Sequence, residues 1–263
     1  MIDTWPKMAL TDRGHGPAVV LLHGQPGEGR DWELVADRLA DRMRVIVPDR
    51  PGYGWSEGQA MGIVDNAELV VALLDRLGVT SAVIAGHSWS GAVALALAQR
   101  HPDRISGLVL VGSVGGEGSV DWLDHMLATA VIGPFLALAG LAVLRAPRLG
   151  RFVAGLAVPT APDAIGGLAT NWYRAWRSFV IEQQALVTEL PEIAGRLADV
   201  HVPVRVVMGA DDRVVRPRSQ VALAGFLPQG ELSTVAGAGH LLPREAPDDV
   251  VEAIIAVGLP PGG

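Results

Sequence analysis

Short, largely apolar runs recur along the chain and predict buried β-strands. They occupy residues 18–22, 43–47, 82–85, 108–111 and 204–208. A strand inside a parallel sheet is covered on both faces, so its sequence lacks the alternation of polar and apolar residues seen in a half-exposed strand. These runs therefore predict a parallel sheet at the centre of the molecule.

Between the runs, apolar residues recur at the spacing of amphipathic helices. Residues 31–39 carry Trp32, Val35, Ala36 and Leu39 in this pattern, and residues 63–77, 219–226 and 247–257 also read as helices. A further strand is predicted at residues 231–235, and one or two ragged antiparallel strands are predicted around residues 7–11. Strands that alternate with helices predict the α/β class, with a mostly parallel sheet covered by helices on both faces.

The stretch between the fourth and fifth core strands is too long for a connecting loop. Roughly 85 residues there show helical patterns and no strand. We interpret residues 117–200 as an inserted helical cap, or lid, and residues 1–116 and 201–263 as the α/β core.

Residues 126–144 form a run of nineteen without a charge, long enough for a membrane span. Gly133, Pro134 and Gly140 interrupt it, so an apolar cap over a binding cleft is preferred to contact with a membrane surface and to a span.

Charge and composition narrow the classes of function. Lys and Arg number 21 against 28 Asp and Glu, which gives a net charge of −7 without long blocks of either sign. Nucleic acid is therefore not expected as a partner, because binding phosphates requires clustered positive charge. The chain has no cysteine, which excludes disulfides, thiolate metal sites and a cysteine nucleophile. The first ten residues lack the apolar run of a signal peptide, so a cytoplasmic protein is expected.

Residues 83–98 contain the strongest chemical signal. An apolar strand runs into Gly86, His87 and Ser88, and a helix rich in alanine and leucine begins after Ser90 and Gly91. Small residues on both sides allow the strand and the helix to approach closely enough to hold a strained backbone at the serine. Ser88 is the predicted nucleophile.

A serine nucleophile needs a base, and the base needs an acid. Serine is a weak nucleophile at neutral pH until a histidine removes its proton, and a carboxylate must orient that histidine. His240 follows the last predicted strand in a Gly-His pair, and is the predicted base. Two adjacent aspartates, Asp211 and Asp212, follow the strand at residues 204–208 and compete for the role of the acid.

Four motifs in this order resemble those of the α/β-hydrolase fold family, over residues 18–263. They are His-Gly-Gln-Pro-Gly at 23–27, Asp-Arg-Pro-Gly-Tyr-Gly-Trp-Ser at 49–56, Gly-His-Ser-Trp-Ser-Gly at 86–91, and Gly-Ala-Asp-Asp at 209–212 followed by Gly239 and His240. Ser90 departs from the usual glycine of the elbow. The resemblance implies the order Ser, Asp, His and favours Asp212 over Asp211 as the acid. It also implies that the backbone N–H groups of Trp89 and Gln25 form the oxyanion hole.

Other polar and aromatic residues are expected to stabilise loops or to line the substrate pocket. His23 is expected to order its loop, His87 to pack or bond within its loop, and Asp49 and Arg50 to fix the loop after their strand. Candidates for the substrate pocket in the cap are Phe135, Trp172 and Trp176. The remaining histidines lack the pairing of metal ligands, and neither a metal nor another cofactor is predicted.

The residue type of the nucleophile distinguishes among the known activities of the family. Relatives that displace halide or open epoxides carry Asp at the elbow, so Ser88 disfavours both. The preferred function is hydrolysis of a carboxylic ester, or a related acyl bond, of a small to medium apolar substrate. C–C bond hydrolysis stays open, as does a proline iminopeptidase-like activity with Glu182, Glu189 or Glu192 receiving the substrate amine. From another class, a ligand-binding protein without catalysis is possible on this fold. The sequence does not distinguish a monomer from a homodimer.

Overall fold

The computed structural model describes residues 6–116, 118–129, 132–145 and 172–259. Its strands are β1 (Leu10–Arg13), β2 (Ala18–Leu22), β3 (Arg44–Pro48), β4 (Ala82–His87), β5 (Ile105–Val111), β6 (Val204–Gly209) and β7 (Gly230–Val235). They form one seven-stranded sheet in the order β1-β3-β2-β4-β5-β6-β7. β1 runs antiparallel to β3, and the other strands pair in parallel. The prediction of a mostly parallel sheet is confirmed.

The strand expected around residues 7–11 is a single strand that lies further along the chain. β1 has the sequence Leu-Thr-Asp-Arg, and its last three residues are exposed. A polar strand at the edge of a sheet leaves no run of apolar residues by which to locate it. The position of β1 was therefore less well predicted than the positions of the interior strands.

Helices cover both faces of the sheet. They are α1 (Glu33–Leu39), α2 (Ile63–Arg76), α3 (Ser90–Arg100), α4 (Trp122–Leu127), α5 (Ile132–Arg145), α6 (Trp172–Ala194), α7 (Pro217–Phe226), α8 (Leu242–Glu245) and α9 (Pro247–Gly258), with short 3-10 helices at Gly29–Trp32, Pro102–Arg104 and Leu197–Asp199. On one face, apolar side chains of α2, α3 and α7 are buried in one cluster with those of the sheet. On the other face, α1 and α9 do so. This arrangement agrees with the predicted α/β class.

Helices α4, α5 and α6 lie between β5 and β6 in the chain, and the described residues of this stretch contain no strand. α6 contacts α4 and α5, and it also packs on α2 and α3 of the core. The division into a core and a cap stays a prediction, and residues 117, 130–131 and 146–171 lie outside the described residues.

None of the helices in the described ranges has the length and apolarity needed to cross a membrane.

The sheet brings the predicted site together because its parallel strands end at one edge. Ser88 follows β4, Asp212 lies three residues after β6, and His240 lies five residues after β7. Loops at the carboxyl ends of neighbouring parallel strands share one side of the sheet, which is where open α/β sheets bind their ligands.

Candidate active site

Ser88 occupies a strained turn between β4 and α3. Its φ is +55°, in the left-handed region, and it is the one residue other than glycine in the described ranges with a positive φ. A Cβ on Gly86 would lie 2.4 Å from the carbonyl oxygen of Ser90, and one on Gly91 would lie 2.3 Å from the Cβ of Ser113. These two glycines therefore permit the close approach that holds Ser88 in its conformation.

Three predicted side chains form a continuous hydrogen-bonded series. His240 Nε2 lies 2.9 Å from Ser88 Oγ, and His240 Nδ1 lies 3.0 Å from Asp212 Oδ2. All three residues are buried. Because Asp212 accepts from Nδ1, the bond fixes the tautomer in which Nε2 carries a lone pair toward the serine hydroxyl.

The environment of Asp212 distinguishes it from Asp211. Asp212 Oδ1 accepts the N–H groups of Val214 and Val215 at 2.9 and 3.0 Å, and Oδ2 also accepts from Gln220 Nε2 at 3.2 Å. Asp211 is exposed, and its own N–H donates to the carbonyl of Ala238. The structure thus brings Asp212 and not Asp211 to His240.

The loop that carries His240 is held by a carboxylate that sequence reasoning did not assign. Glu245 accepts the N–H of Gly239 through Oε2 at 2.6 Å and the N–H of Leu241 through Oε1 at 3.0 Å. The two bonds fix the backbone on both sides of His240. The position of Glu245 five residues after the predicted base was the available signal, but that position by itself does not indicate this role.

The loop at residues 23–27 is joined to the elbow. Ser90 Oγ donates to the carbonyl of His23 at 2.5 Å, and His23 Nε2 accepts the N–H of Arg50 at 2.9 Å. Burial and the nearby Arg50 guanidinium hold the pKa of His23 well below its ordinary value, so this imidazole is neutral. His23 orders its loop, as the sequence predicted, and Ser90 supplies a bond that glycine could not.

The backbone donors assigned by resemblance lie on the two sides of Ser88. Trp89 follows the serine and is the N-cap of α3, and Gln25 lines the cleft together with Ser88. The assignment of their N–H groups to an oxyanion hole stays a prediction.

His87 packs beside the base and takes no part in the hydrogen-bonded series. Its Nε2 donates to the carbonyl of His240 at 2.9 Å, and the two imidazole rings lie 5.0 Å apart between centroids. Burial, followed by the influence of His240, lowers the pKa of His87 to about 3. The ring is therefore a neutral hydrogen-bond donor to the loop, in agreement with the packing role predicted for it.

The cleft at Ser88 is small within the described part of the chain. Its volume is about 70 Å³, and Gln25, Pro26, Ser88, His240 and Leu241 are among the residues that line it. Its wall includes the ion pair between Arg244 Nη2 and Asp31 Oδ1, at 2.6 Å. The polar wall was not predicted from the sequence.

Two of the predicted pocket aromatics, Phe135 and Trp176, do not line this cleft. Phe135 exposes 73% of its surface on α5 and does not line the cleft, so the structure does not support its assignment. Trp176 is half-buried on α6, with the Arg177 guanidinium 5.3 Å from its ring centroid. The side chain of Trp172 lies outside the described residues.

Within the described residues, no group of three or more His, Asp or Glu side chains has the arrangement of metal ligands.

The chain belongs to the alpha/beta hydrolase family, whose model matches residues 19–253. It is 32% identical to the "Magnesium-chelatase 30 kDa subunit" of Rhodobacter capsulatus over 97% of this chain and 90% of that protein. It is also 28% identical to the 2-hydroxy-6-oxo-6-phenylhexa-2,4-dienoate hydrolase of Burkholderia cepacia, over 89% of this chain and 85% of the hydrolase.

Among solved structures, a thermophilic esterase from Thermogutta terrifontis superposes with a TM-score of 0.78 at 25% identity. The match covers 98% of this chain and 96% of the esterase. The relatives therefore include an esterase, a dienoate hydrolase and a protein named as a magnesium-chelatase subunit.

Proposed function

We propose that this protein is a serine hydrolase that cleaves a carboxylic ester, or a related acyl bond, of a small to medium apolar substrate. The observation that carries the proposal is the series from Ser88 Oγ through His240 to Asp212, at 2.9 and 3.0 Å. A serine, a histidine and a carboxylate so arranged are the parts that acyl transfer requires.

The proposed reaction has two halves. As Ser88 Oγ attacks the acyl carbon, His240 Nε2 takes its proton, and Asp212 stabilises the imidazolium that forms. The tetrahedral intermediate then collapses, the alcohol leaves with that proton, and the acyl group stays on the serine. Water attacks the acyl-enzyme, His240 takes a proton from the water and returns one to Ser88 Oγ, and the carboxylic acid is released.

The oxyanion of each tetrahedral intermediate needs donors that are already in place. We assign this role to the N–H groups of Gln25 and Trp89. Preorganised amides in a site with little water stabilise such an oxyanion by several kcal/mol. The bonds that fix His23 to Ser90 and Arg50 support the assignment, since they restrain the loop that carries Gln25.

The helices between β5 and β6 are proposed to form the lid that selects the substrate. Residues 126–144 carry no charge, and α6 lies against the loops of the site through hydrogen bonds from Gln25 and Trp89. An apolar lid favours an apolar acyl or alcohol group. The similarity to an esterase over almost the whole chain supports the same class of substrate.

The test is turnover of nitrophenyl esters of short and medium acyl chains, together with labelling of Ser88 by a fluorophosphonate. Ser88→Ala is expected to abolish both while leaving the folded structure in place. Ser219→Ala is the matched control, because that hydroxyl donates only to the carbonyl of Arg216 in its own turn. Absence of both turnover and labelling in the unmodified protein would contradict the proposal, and activity retained by Ser88→Ala would show that the nucleophile is wrong.

Hydrolysis of a C–C bond is the second candidate. It is favoured by the 28% identity to a hydrolase of a phenyl-substituted oxo-hexadienoate, and it uses the same kinds of side chain. A coloured ring-fission dienoate distinguishes the two functions, because its absorbance is lost only when the C–C bond is cleaved.

The proline iminopeptidase-like function is weakened by the positions of its candidate carboxylates. Glu182 is buried in an ion pair with Arg50, and Glu189 accepts the N–H of Val64 at the start of α2. Neither is available to a substrate amine in this arrangement. A proline arylamide that is cleaved faster than the esters would reverse this ranking.

A ligand-binding protein without catalysis is the candidate from another class. Stoichiometric labelling of Ser88 with negligible turnover, together with a ligand that raises the melting temperature, would favour it, since a ligand that binds only the native state stabilises that state.

A further inference from the structure

A buried arginine joins the loop before Gln25 to helix α6. Arg50 Nε donates to the carbonyl of His23 at 3.1 Å, and Arg50 Nη2 donates to the carbonyl of Gly24 at 2.8 Å. These are the two residues that precede Gln25 in the chain. The guanidinium therefore fixes the direction from which the backbone enters Gln25.

The other side of the guanidinium meets Glu182 of α6. Arg50 Nη1 bonds to Glu182 Oε1, Nη2 lies 3.3 Å from Oε2, and the hydroxyl of Tyr53 donates to Oε2 at 2.7 Å. Arg50 is 2% exposed and Glu182 is 0% exposed. Removing two charges from water is costly, and a well-packed apolar pair is often as stable or more so. Stability alone therefore does not explain this pair.

The same turn of α6 also holds the two residues assigned to the oxyanion hole. Gln25 Nε2 donates to the carbonyl of Phe179 at 2.8 Å, and Trp89 Nε1 donates to the carbonyl of Glu182 at 3.1 Å. The Arg50 guanidinium lies 4.6 Å from the centroid of the Trp89 ring, within the range of a cation–π contact. One side chain thus contacts both the loop of Gln25 and the ring of Trp89.

We propose that Arg50 and Glu182 are positioning residues that hold the oxyanion donors in place. Through this pair, the arrangement of the donors depends on the packing of α6 against the core. This inference rests on the proposed acyl-transfer function. When α6 is packed against the core, Glu182 neutralises the Arg50 guanidinium, and Arg50 fixes the carbonyls of His23 and Gly24. Without α6 the guanidinium loses its counter-ion and the Gln25 and Trp89 side chains lose their acceptors, so a closed lid is coupled to a formed oxyanion hole.

Burial raises the pKa of Glu182 above its ordinary value, although Arg50 and Tyr53 act in the opposite direction. The carboxylate therefore depends on these two partners for its charge. Replacing it with a neutral amide of the same shape removes the charge while keeping the volume, which makes Glu182→Gln a sensitive probe of the coupling.

The experiment compares Glu182→Gln and Arg50→Lys with the unmodified enzyme on the ester that it turns over best. Lysine keeps the charge of Arg50 but lacks the planar fork that bonds two carbonyls and a carboxylate. We expect kcat to fall about 10- to 100-fold with KM within about threefold, because a displaced donor acts on the transition state more than on substrate binding. Glu189→Gln is the matched control on α6, since its carboxylate caps α2 and contacts none of the site loops. We expect it to keep its kcat.

A pair of inhibitors separates positioning from a general loss of structure. Ser88 attacks a trifluoromethyl ketone to give a tetrahedral oxyanion, whereas the matching methyl ketone stays largely trigonal. We expect affinity for the trifluoromethyl ketone to fall by the same factor as kcat/KM and affinity for the methyl ketone to change little. The ratio of the two affinities is measured on folded protein, so a lower melting temperature does not alter it.

Two results would overturn the inference. One is a kcat within about threefold of the unmodified enzyme in both variants, and the other is an equal loss of affinity for both ketones. In either case the unmodified enzyme still turns over ester, so the proposed function stands. If the unmodified enzyme neither turns over ester nor reacts at Ser88, both the proposed function and this inference are contradicted.

Discussion

The acid of the series is selected by two backbone amides and a glutamine. Asp211 and Asp212 are neighbours of the same chemical type, and yet only Asp212 is turned inward. Val214 and Val215 donate to one of its oxygens, and Gln220 shares the other with His240. These bonds fix the orientation of the carboxylate, so it already faces His240 in the folded protein.

Exchanging each aspartate for asparagine tests this selection. In Asp212→Asn the amide can no longer stabilise an imidazolium and can favour the wrong tautomer of His240, so we expect kcat/KM to fall about 10³- to 10⁴-fold. Asp211→Asn is the control, because Asp211 is exposed and does not contact His240; we expect its kcat/KM to be little changed. Steady-state kinetics on one ester checks both variants. Equal losses in the two would contradict the assignment.

Single residues differ in how far the sequence alone could identify them. Ser88 follows an apolar run, and His240 stands in a Gly-His pair after the last predicted strand, so both could be predicted from their neighbours. Choosing Asp212 over Asp211 required a family resemblance, because the choice depends on which carboxylate faces a histidine 28 positions away. Glu182 was considered only as one of three carboxylates that could receive a substrate amine, and its partner Arg50, 132 positions away, was not identified. A charge at a buried position of an amphipathic helix needs a partner, and the sequence does not name that partner.

At the scale of elements, the site depends on how closely β4 and α3 approach. The Cβ that alanine would add at Gly86 meets the carbonyl oxygen of Ser90, a backbone atom of the first turn of α3. Backbone of a buried helix cannot move aside as the end of a flexible side chain can. The strand and the helix must therefore separate or tilt to accept the methyl group.

We expect Gly86→Ala to lower the stability by about 1–3 kcal/mol, as overpacking of a core does, and to lower kcat through displacement of Ser88. Gly225→Ala is the control, since that glycine is exposed in α7 and has no atom within 4 Å of an added Cβ. Alanine there favours the helix by up to about 1 kcal/mol. Chemical denaturation and ester turnover measure the two effects. A Gly86→Ala enzyme as stable and active as the unmodified one would contradict the close approach.

Helices and strands in the interior were located more accurately from the sequence than those near the surface. The interior strands and the helices that pack on them were located within a few residues, because burial on both sides forces a plain apolar pattern. α5 was harder to interpret, since its apolar run left contact with a membrane surface and a membrane span open beside the preferred lid. In the structure Phe135, Leu136 and Leu138 are exposed on it, and no pattern along one chain distinguishes a face that closes over a substrate from one that packs permanently.

At the scale of the whole molecule, two buried neutral histidines give the protein a characteristic response to acid. His87 faces the ring of Trp32 and the groups His240, Asp212 and Arg244, and burial with the influence of His240 lowers its pKa to about 3. His23 faces Arg50 and Tyr53, and burial with the charge of Arg50 lowers its pKa well below the ordinary value. In the unfolded chain both rings are hydrated and take up a proton near pH 6.5.

The sign of the effect follows from where the protons bind. Between about pH 6.5 and pH 3 the unfolded chain holds a proton on His87 that the folded protein does not, so stability falls as the pH falls through this window. One such group removes about 1.4 kcal/mol for each pH unit. His87→Gln keeps a donor for the carbonyl of His240 and removes the titration, so we expect its unfolding free energy to fall less steeply from pH 6.5 to 5, by about 2 kcal/mol. His15→Gln, at an exposed position, should keep the original slope, and urea unfolding at a series of pH values measures all three proteins. If the unfolding free energy of His87→Gln depended on pH as steeply as that of the unmodified protein, His87 would take up its proton in the folded state, which would contradict the prediction.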